Sequence, residues 1–282
     1  MAIGGVLTAA VTPLDAKGLL DEEAFIALLG YLAASGSDGV VVAGTTGESS
    51  TLGDDEKVRL FELAVKEGGD LYVVAGTGSN DTAHTVHLTE RACAAGVDAC
   101  LVVTPYYNKP PLRGIKAHYQ AVASASDKPI ILYNIPGRVV IDLPNEFLRE
   151  LGQIDGVEAV KQARETDIQA IDGLDVLAGN DDKLAETLDA GGTGGILTSS
   201  HIVGRELRRM IDEPDNRWAI HEELTPVFDA LAVAPLTMSL KAALSLMGLK
   251  VGGCRLPLVD CDEDEIATIR SMLERQGLLS QV

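Results

Sequence analysis

The strongest constraint on this chain is a repeated change of hydrophobic period. Short runs rich in Val, Ile and Leu begin near Gly5, Gly39, Leu71, Ala99, Pro129, Val157, Leu174 and Gly194. Longer amphipathic stretches lie between them, among them DEEAFIALLGYLAAS, DEKVRLFELAVKEGG, DTAHTVHLTERACAAG and PNEFLRELGQI. Several open on Asp or Asn at the cap position and close on Gly, the usual start and stop signals of a helix. The short runs are almost continuously apolar, as parallel strands covered on both faces must be. Eight strand-like runs, each followed by a helix-like one, predict an α/β fold, a (β/α)8 TIM barrel over residues 1–213, better than an open doubly wound sheet. Residues 214–282 read as three more helices, a C-terminal helical appendage and not a second catalytic domain.

A barrel of this type carries its active site at the C-terminal ends of the strands. The predicted ends are chemically rich: Thr45-Thr46-Gly47-Glu48, Thr104 to Asn108, Tyr133 to Arg138, Lys161, Gly179-Asn180-Asp181 and Ser199-Ser200. In VEAVKQ, the residues Val157, Ala159 and Lys161 share parity and are expected on one face, the barrel interior. An ammonium there is costly to desolvate, which favours the neutral, nucleophilic amine. Such an amine can form a Schiff base with a keto acid. A lysine that merely reaches water at the strand end, or pairs with a carboxylate, is the plainer alternative. Tyr133 closes the run PIILY with a phenol that can donate and accept a proton, or simply be a core aromatic with its hydroxyl at the rim. Thr45 and Thr46 stand on a Gly/Thr turn able to receive a carboxylate, and Arg138 could bind a second one bidentately.

Other chemistries lack their motifs. Neither a phosphate-binding G-x-x-x-x-G-K-[ST] nor a complete G-x-G-x-x-G occurs, and the five histidines form no H-E-x-x-H. GGTGG at 191–195 fits either a phosphate cradle or a turn into the eighth strand. Four cysteines, none in C-x-x-C, suit small buried thiols in a reducing compartment better than a disulfide scaffold or a zinc site. No metal and no cofactor are expected. The N-terminus has no basic segment before an apolar one, and no apolar run is long enough to span a bilayer, so a cytoplasmic location is expected. A formal charge of −19 argues against nucleic acid or an anionic membrane as a partner, because both are bound largely through Lys and Arg.

GTTGESSTL (44–52), VTPYYNKP (103–110), YNIPGR (133–138), Lys161 and GGCRLPL (252–258) resemble, in order and spacing, the dihydrodipicolinate synthase and N-acetylneuraminate lyase superfamily of class I aldolases. GTTGES and the Arg after YNIPG are similar to the synthase branch and unlike the sialic-acid lyases. That resemblance implies condensation of pyruvate with L-aspartate 4-semialdehyde, a first step of lysine and diaminopimelate biosynthesis. It implies that Lys161 forms the pyruvate imine, that Tyr133 is the general acid/base, and that Thr45 links it to Tyr107 in a proton relay. By the same resemblance Thr46 and the backbone at Ile196 hold the pyruvate carboxylate, and Arg138 receives the semialdehyde carboxylate. Tyr107 crosses a dimer interface in that family, so a homo-oligomer, a tetramer built as a dimer of dimers, is implied. A 2-keto-3-deoxy sugar-acid aldolase and a non-catalytic ligand-binding barrel are the competing readings. Lysine-inhibited relatives carry histidines after GTTGES and an acidic residue in the helix after the third strand. The matching positions here are Asp54, Lys57 and His84, so weak or absent inhibition by lysine is expected.

Lys is scarcer than Arg (10 against 13) and Asp exceeds Glu (23 against 19), which fits either a halophilic surface or an ordinary acidic protein. Stability and activity measured from low to molar KCl separate the two: full activity without salt removes the halophilic reading.

Overall fold

Eight parallel strands close on themselves in chain order. They are β1 (Gly5–Ala9), β2 (Gly39–Val42), β3 (Tyr72–Gly76), β4 (Ala99–Val103), β5 (Ile130–Asn134), β6 (Val157–Gln162), β7 (Asp175–Ala178) and β8 (Gly194–Leu197). The computed structural model describes residues 3–279; residues 1–2 and 280–282, at the outer ends of the two expected segments, lie outside the described residues. Helices α1 (Glu22–Ala34), α2 (Asp54–Glu67), α3 (Thr82–Ala95) and α4 (Leu112–Ser124) follow the first four strands. The short α5 (Pro136–Val139) and α6 (Asn145–Leu151) follow β5, α7 (Leu184–Asp189) follows β7, and α8 (Ser200–Asp212) follows β8. Beyond them lie α9 (Arg217–Leu231), α10 (Leu236–Leu246) and α11 (Glu263–Arg275).

The expected Asp caps form on α1 and α3, whereas α2 is capped by Gly53 and α6 by Pro144. Asp21 accepts from the Ala24 N–H at 3.0 Å and Asp81 from the Ala83 N–H at 3.0 Å, satisfying donors that the first turn of a helix leaves free. Gly96 ends α3 with φ 88°, a conformation that costs glycine little.

Alternation along the strands divides the core in two. Leu7, Ala9, Val41, Val74, Leu101, Ile131, Ala159, Leu177 and Ile196 fill the barrel interior, and a larger apolar layer lies between barrel and helices. Val157 belongs to the outer layer, which corrects the expectation that it shares a face with Ala159 and Lys161. The cause is a bulge: Ile130 pairs with Val157 but Ile131 pairs with Ala159, so Glu158 is an extra residue and the strand changes phase there.

A helix does not follow every strand. Residues 163–174 form none, only an isolated bridge between Ile171 and Leu174. Thr166, Ile168 and Ile171 are β-branched, Gly173 and Asp167 are left-handed, and Asn145 Nδ2 donates to the Asp167 carbonyl at 3.1 Å, taking an acceptor that a helix would need. GGTGG makes the turn into β8, at the end of the barrel opposite the strand C-termini: Gly192 N–H donates to the Thr187 carbonyl at 2.8 Å, and a Cβ on Gly194 would lie 2.2 Å from the Gly5 carbonyl.

His201 joins α8 to the barrel. Its Nδ1 donates to the Thr198 carbonyl at 2.7 Å and its Nε2 accepts from the Val11 N–H at 3.2 Å, two bonds that only the neutral ring can make. Burial pushes its pKa down to about 4. In the unfolded chain the ring binds a proton near pH 6.5. Between pH 6.5 and 4 the unfolded state therefore holds the extra proton, and stability falls as pH falls through that window. The contribution of His201 is on the order of 3 kcal/mol once pH is below both values. Urea midpoints at pH 7 and pH 5 should show a smaller acid loss in His201→Gln than in the parent; equal losses would contradict this.

Candidate active site

The in-phase pairing after the bulge sets Tyr133 of β5 directly beside Lys161 of β6. Both side chains are 6% exposed, and the Lys161 amine lies 4.5 Å from the centre of the Tyr133 ring. Among the described residues, no carboxylate is within ion-pair distance of that amine. The alternative of a lysine paired with a carboxylate is thereby removed. Thr104, buried at the end of β4, fixes the tyrosine from below: its N–H donates to the Tyr133 carbonyl at 3.1 Å and its hydroxyl at 3.0 Å.

Thr45 and Thr46 lie on the irregular turn that follows β2, with Thr45 exposed and Thr46 buried. The turn contains two left-handed residues that are not glycine, Ala43 (φ 53°) and Glu48 (φ 59°), a conformation that costs about 1 kcal/mol each. Several contacts hold it. A Cβ on Gly76 would lie 2.4 Å from the Ala43 carbonyl, so the glycine is what admits the turn against β3. Thr12 Oγ1 donates to the Gly47 carbonyl at 2.7 Å, and Thr237 Oγ1 to the Thr46 carbonyl at 3.2 Å. Lys241 Nζ lies 2.6 Å from Glu48 Oε1, with both side chains almost fully buried.

Arg138 projects from α5 at the rim, exposed and without an ion pair among the described residues. Its loop is tied down by Arg164, which follows β6. The Arg164 guanidinium donates to Asp142 at 2.9 and 3.0 Å, to the Leu143 carbonyl at 2.9 Å, to Asp167 at 3.2 Å and to Asn145 at 3.3 Å. Asn134 Nδ2 adds bonds to Asp142 at 3.1 Å and Gln162 at 2.8 Å.

These elements enclose a cavity of about 610 Å³, lined by Thr45, Thr46, Tyr133, Arg138, Lys161 and Thr198 among others. Lys161, Tyr133, Thr45, Thr46 and Arg138 are therefore gathered at one place. Tyr107 and Ile196 are not on its wall. Tyr107 is 86% exposed with φ 70° and makes no hydrogen bond to Thr45 among the described residues. Ile196 is fully buried in the barrel interior, paired with Leu7. Asp181, Ser199 and Ser200 have structural partners: Asp181 accepts from the Thr198 N–H at 3.0 Å, the Ser199 N–H at 2.6 Å and both their hydroxyls, and Ser200 meets Thr8 Oγ1 at 2.8 Å.

Lys241 and Arg164 emerge only in three dimensions, and Glu48, named at a predicted strand end, gains its partner there. Arg255 had been visible as part of GGCRLPL without a role; its N–H donates to Glu48 at 2.7 Å and its guanidinium grips Glu56 at 2.6 and 2.8 Å. A second cavity of about 480 Å³ adjoins the first and shares Thr45, Ile135 and Arg138 with it. Asp54, Lys57 and His84 meet on its wall, His84 Nε2 2.9 Å from Asp54 and Lys57 Nζ 3.7 Å from it. Of the thiols, Cys100 and Cys261 are buried and Cys93 and Cys254 half-buried, all four free.

A closed parallel barrel with a buried, unpaired lysine beside a tyrosine at its strand ends defines a Schiff-base-competent (β/α)8 barrel. The chain belongs to the dihydrodipicolinate synthetase family, whose model matches residues 2–276. The 4-hydroxy-tetrahydrodipicolinate synthase of Bacillus velezensis is 41% identical over 287 residues, covering 97% of this chain and 99% of that protein. The crystal structure of the Cyanidioschyzon merolae enzyme with lysine bound is 36% identical, with a TM-score of 0.93 over 98% of this chain and 99% of that one. The chloride-inhibited dihydrodipicolinate synthase of Acinetobacter baumannii, complexed with pyruvate, is 30% identical, with a TM-score of 0.94 over 99% and 100%.

Removing the Arg164 guanidinium leaves Asp142 and Asp167 without their cation, but both are about half exposed and water can take its place. Arg164→Met should therefore cost about 1–2 kcal/mol in urea unfolding, mainly through the bonds to the Leu143 carbonyl and Asn145. A loss below about 0.5 kcal/mol would contradict this account.

Proposed function

We propose that this chain is a 4-hydroxy-tetrahydrodipicolinate synthase, condensing pyruvate with L-aspartate 4-semialdehyde. The observation that carries the reading is the buried Lys161 amine, 4.5 Å from the Tyr133 ring and without a carboxylate partner among the described residues. The neutral amine adds to the ketone carbon of pyruvate, and loss of water from the carbinolamine leaves the imine. Tyr133 supplies the proton that the departing hydroxyl needs, and its phenolate takes a proton from the methyl carbon to give the enamine. Attack on the aldehyde carbon makes an alkoxide that receives that proton back from Tyr133. The amine of the semialdehyde then displaces Lys161 as the ring closes, returning the free lysine.

Thr46 and the backbone near Ile196 hold the pyruvate carboxylate in this reading, and the exposed Arg138 guanidinium receives that of the semialdehyde. Thr45 passes protons between Tyr133 and Tyr107. The exposed Tyr107 can join that relay only from a second copy of the chain, which supports a homo-oligomer, proposed as a tetramer built from two dimers. We assign the barrel to residues 1–213 and the appendage to 214–282. No cofactor enters the scheme. Among the described residues no single helix is long and apolar enough to cross a membrane, and we place the activity in the cytoplasm.

Borohydride reduction with pyruvate should fix the mass of reduced pyruvate on Lys161, with no adduct in Lys161→Ala. An unmodified Lys161 would overturn the reading. Turnover with aspartate semialdehyde, tested against 2-keto-3-deoxy sugar acids, then separates the synthase from an aldolase of the same chemistry. Tyr133→Phe should lower kcat by about 10²–10⁴-fold, the usual contribution of general acid–base catalysis. At the second cavity Asp54 is already engaged by both Lys57 and His84, leaving little for a ligand ammonium. Inhibition by L-lysine should accordingly be weak or absent; half-inhibition in the low-millimolar range or below would contradict it.

A further inference from the structure

Helix α10 reaches the turn after β2 with two side chains four residues apart, hence on one face. Thr237 donates to the Thr46 carbonyl at 3.2 Å and Lys241 to the Glu48 carboxylate at 2.6 Å. Lys241 also donates to the Gly253 carbonyl at 2.7 Å, and the Arg255 N–H donates to the other Glu48 oxygen at 2.7 Å. The Glu48 carboxylate is thus bound at both oxygens from the C-terminal helices and their connecting loop. The Lys241 and Glu48 side chains are only 3% and 1% exposed. A well-packed apolar pair could replace such an ion pair with little or no loss of stability, so stability alone does not account for burying two charges here. What an apolar pair could not do is fix the direction of a left-handed Glu48 and, through it, the peptide that carries the hydroxyl of Thr46.

We propose that Thr237 and Lys241 are positioning residues for pyruvate binding: by clamping the Thr46 carbonyl and the Glu48 carboxylate, α10 sets the Thr46 hydroxyl and backbone to receive the substrate carboxylate. This rests on the reading of Thr46 given above. Releasing the clamp lets the strained turn relax away from the amine, and displacements of about an ångström at a binding group cost up to about 10²-fold. The carboxylate of the second substrate, held by Arg138 on another element, is unaffected.

The test compares Thr237→Val, Thr237→Ser, Lys241→Met and the double variant Glu48→Gln, Lys241→Met, with Thr46→Val as the reference. Thr237→Val and Lys241→Met should raise the pyruvate KM about ten- to a hundredfold, with a smaller change in the KM for the semialdehyde. Thr237→Ser, which restores the donor, should return the pyruvate KM toward the parent value. The double variant should be no worse than Lys241→Met, because the pair acts as one unit. Borohydride should still trap pyruvate on Lys161 at saturating substrate. Folded variants with unchanged pyruvate KM would overturn the clamp if Thr46→Val raises it. An unchanged KM in Thr46→Val would overturn both the clamp and the reading of Thr46. If Lys241→Met does not fold, the contrast between Thr237→Val and Thr237→Ser decides alone.

Discussion

Along a strand, residues two apart share a face, so the phase of β6 decides whether Lys161 meets the barrel interior or the helices. Val157 and Val160 pack outward, and Ala159, Lys161 and Ala163 face inward. An unbroken alternation starting from Val157 would have turned Lys161 into the apolar layer outside the barrel. The extra residue at Glu158 reverses the phase, and the register that follows pairs Lys161 with Tyr133. Everything proposed for the cavity depends on that single offset. It places the amine where water is scarce and where a phenol, a threonine turn and a free guanidinium converge.

The barrel was legible because its cause is local. Eight changes of period, with Asp caps and Gly stops, require nothing from distant parts of the chain, and Thr45, Thr46, Tyr133, Arg138, Lys161 and Asn180 from the predicted strand ends do converge at one mouth. The bulge was not legible: VEAVKQ reads as a regular strand, and simple parity reached the right face for Lys161 from the wrong starting point at Val157. The segment after β6 was misjudged because its backbone acceptors and the Asp167 side chain are claimed by Asn145 and Arg164, contacts that no local pattern announces. Glu48 and Lys241 stand 193 residues apart, and although Glu48 is read at a strand end, nothing local pairs it with Lys241.

Charge is organised on two scales. The whole chain carries −19, most of it in exposed carboxylates that keep the surface solvated. At the strand ends the balance is local: Arg164 is neutralised by its own aspartates, whereas Arg138 and Lys161 have no acidic partner among the described residues. An anion entering the cavity therefore meets the uncommitted Arg138 guanidinium and the unpaired Lys161 amine despite the field of the surrounding surface. Screening by salt acts chiefly on the exposed charges of the outer surface.

The distance in sequence between the turn after β2 and its partners on α10 also bears on the order in which the protein is made. The ribosome delivers residues 43–51 early, and the chain can form several βα units before Thr237, Lys241 and Arg255 emerge. Until then Glu48 has no cation to bury against, and its left-handed backbone is held only by nearer contacts such as the Thr12 hydroxyl on the Gly47 carbonyl. The turn at the mouth of the barrel is thus held by side chains 191 and 193 positions further along the chain. A polypeptide that stops short of α10 possesses Lys161 and Tyr133 yet lacks the contacts that hold the turn carrying Thr46.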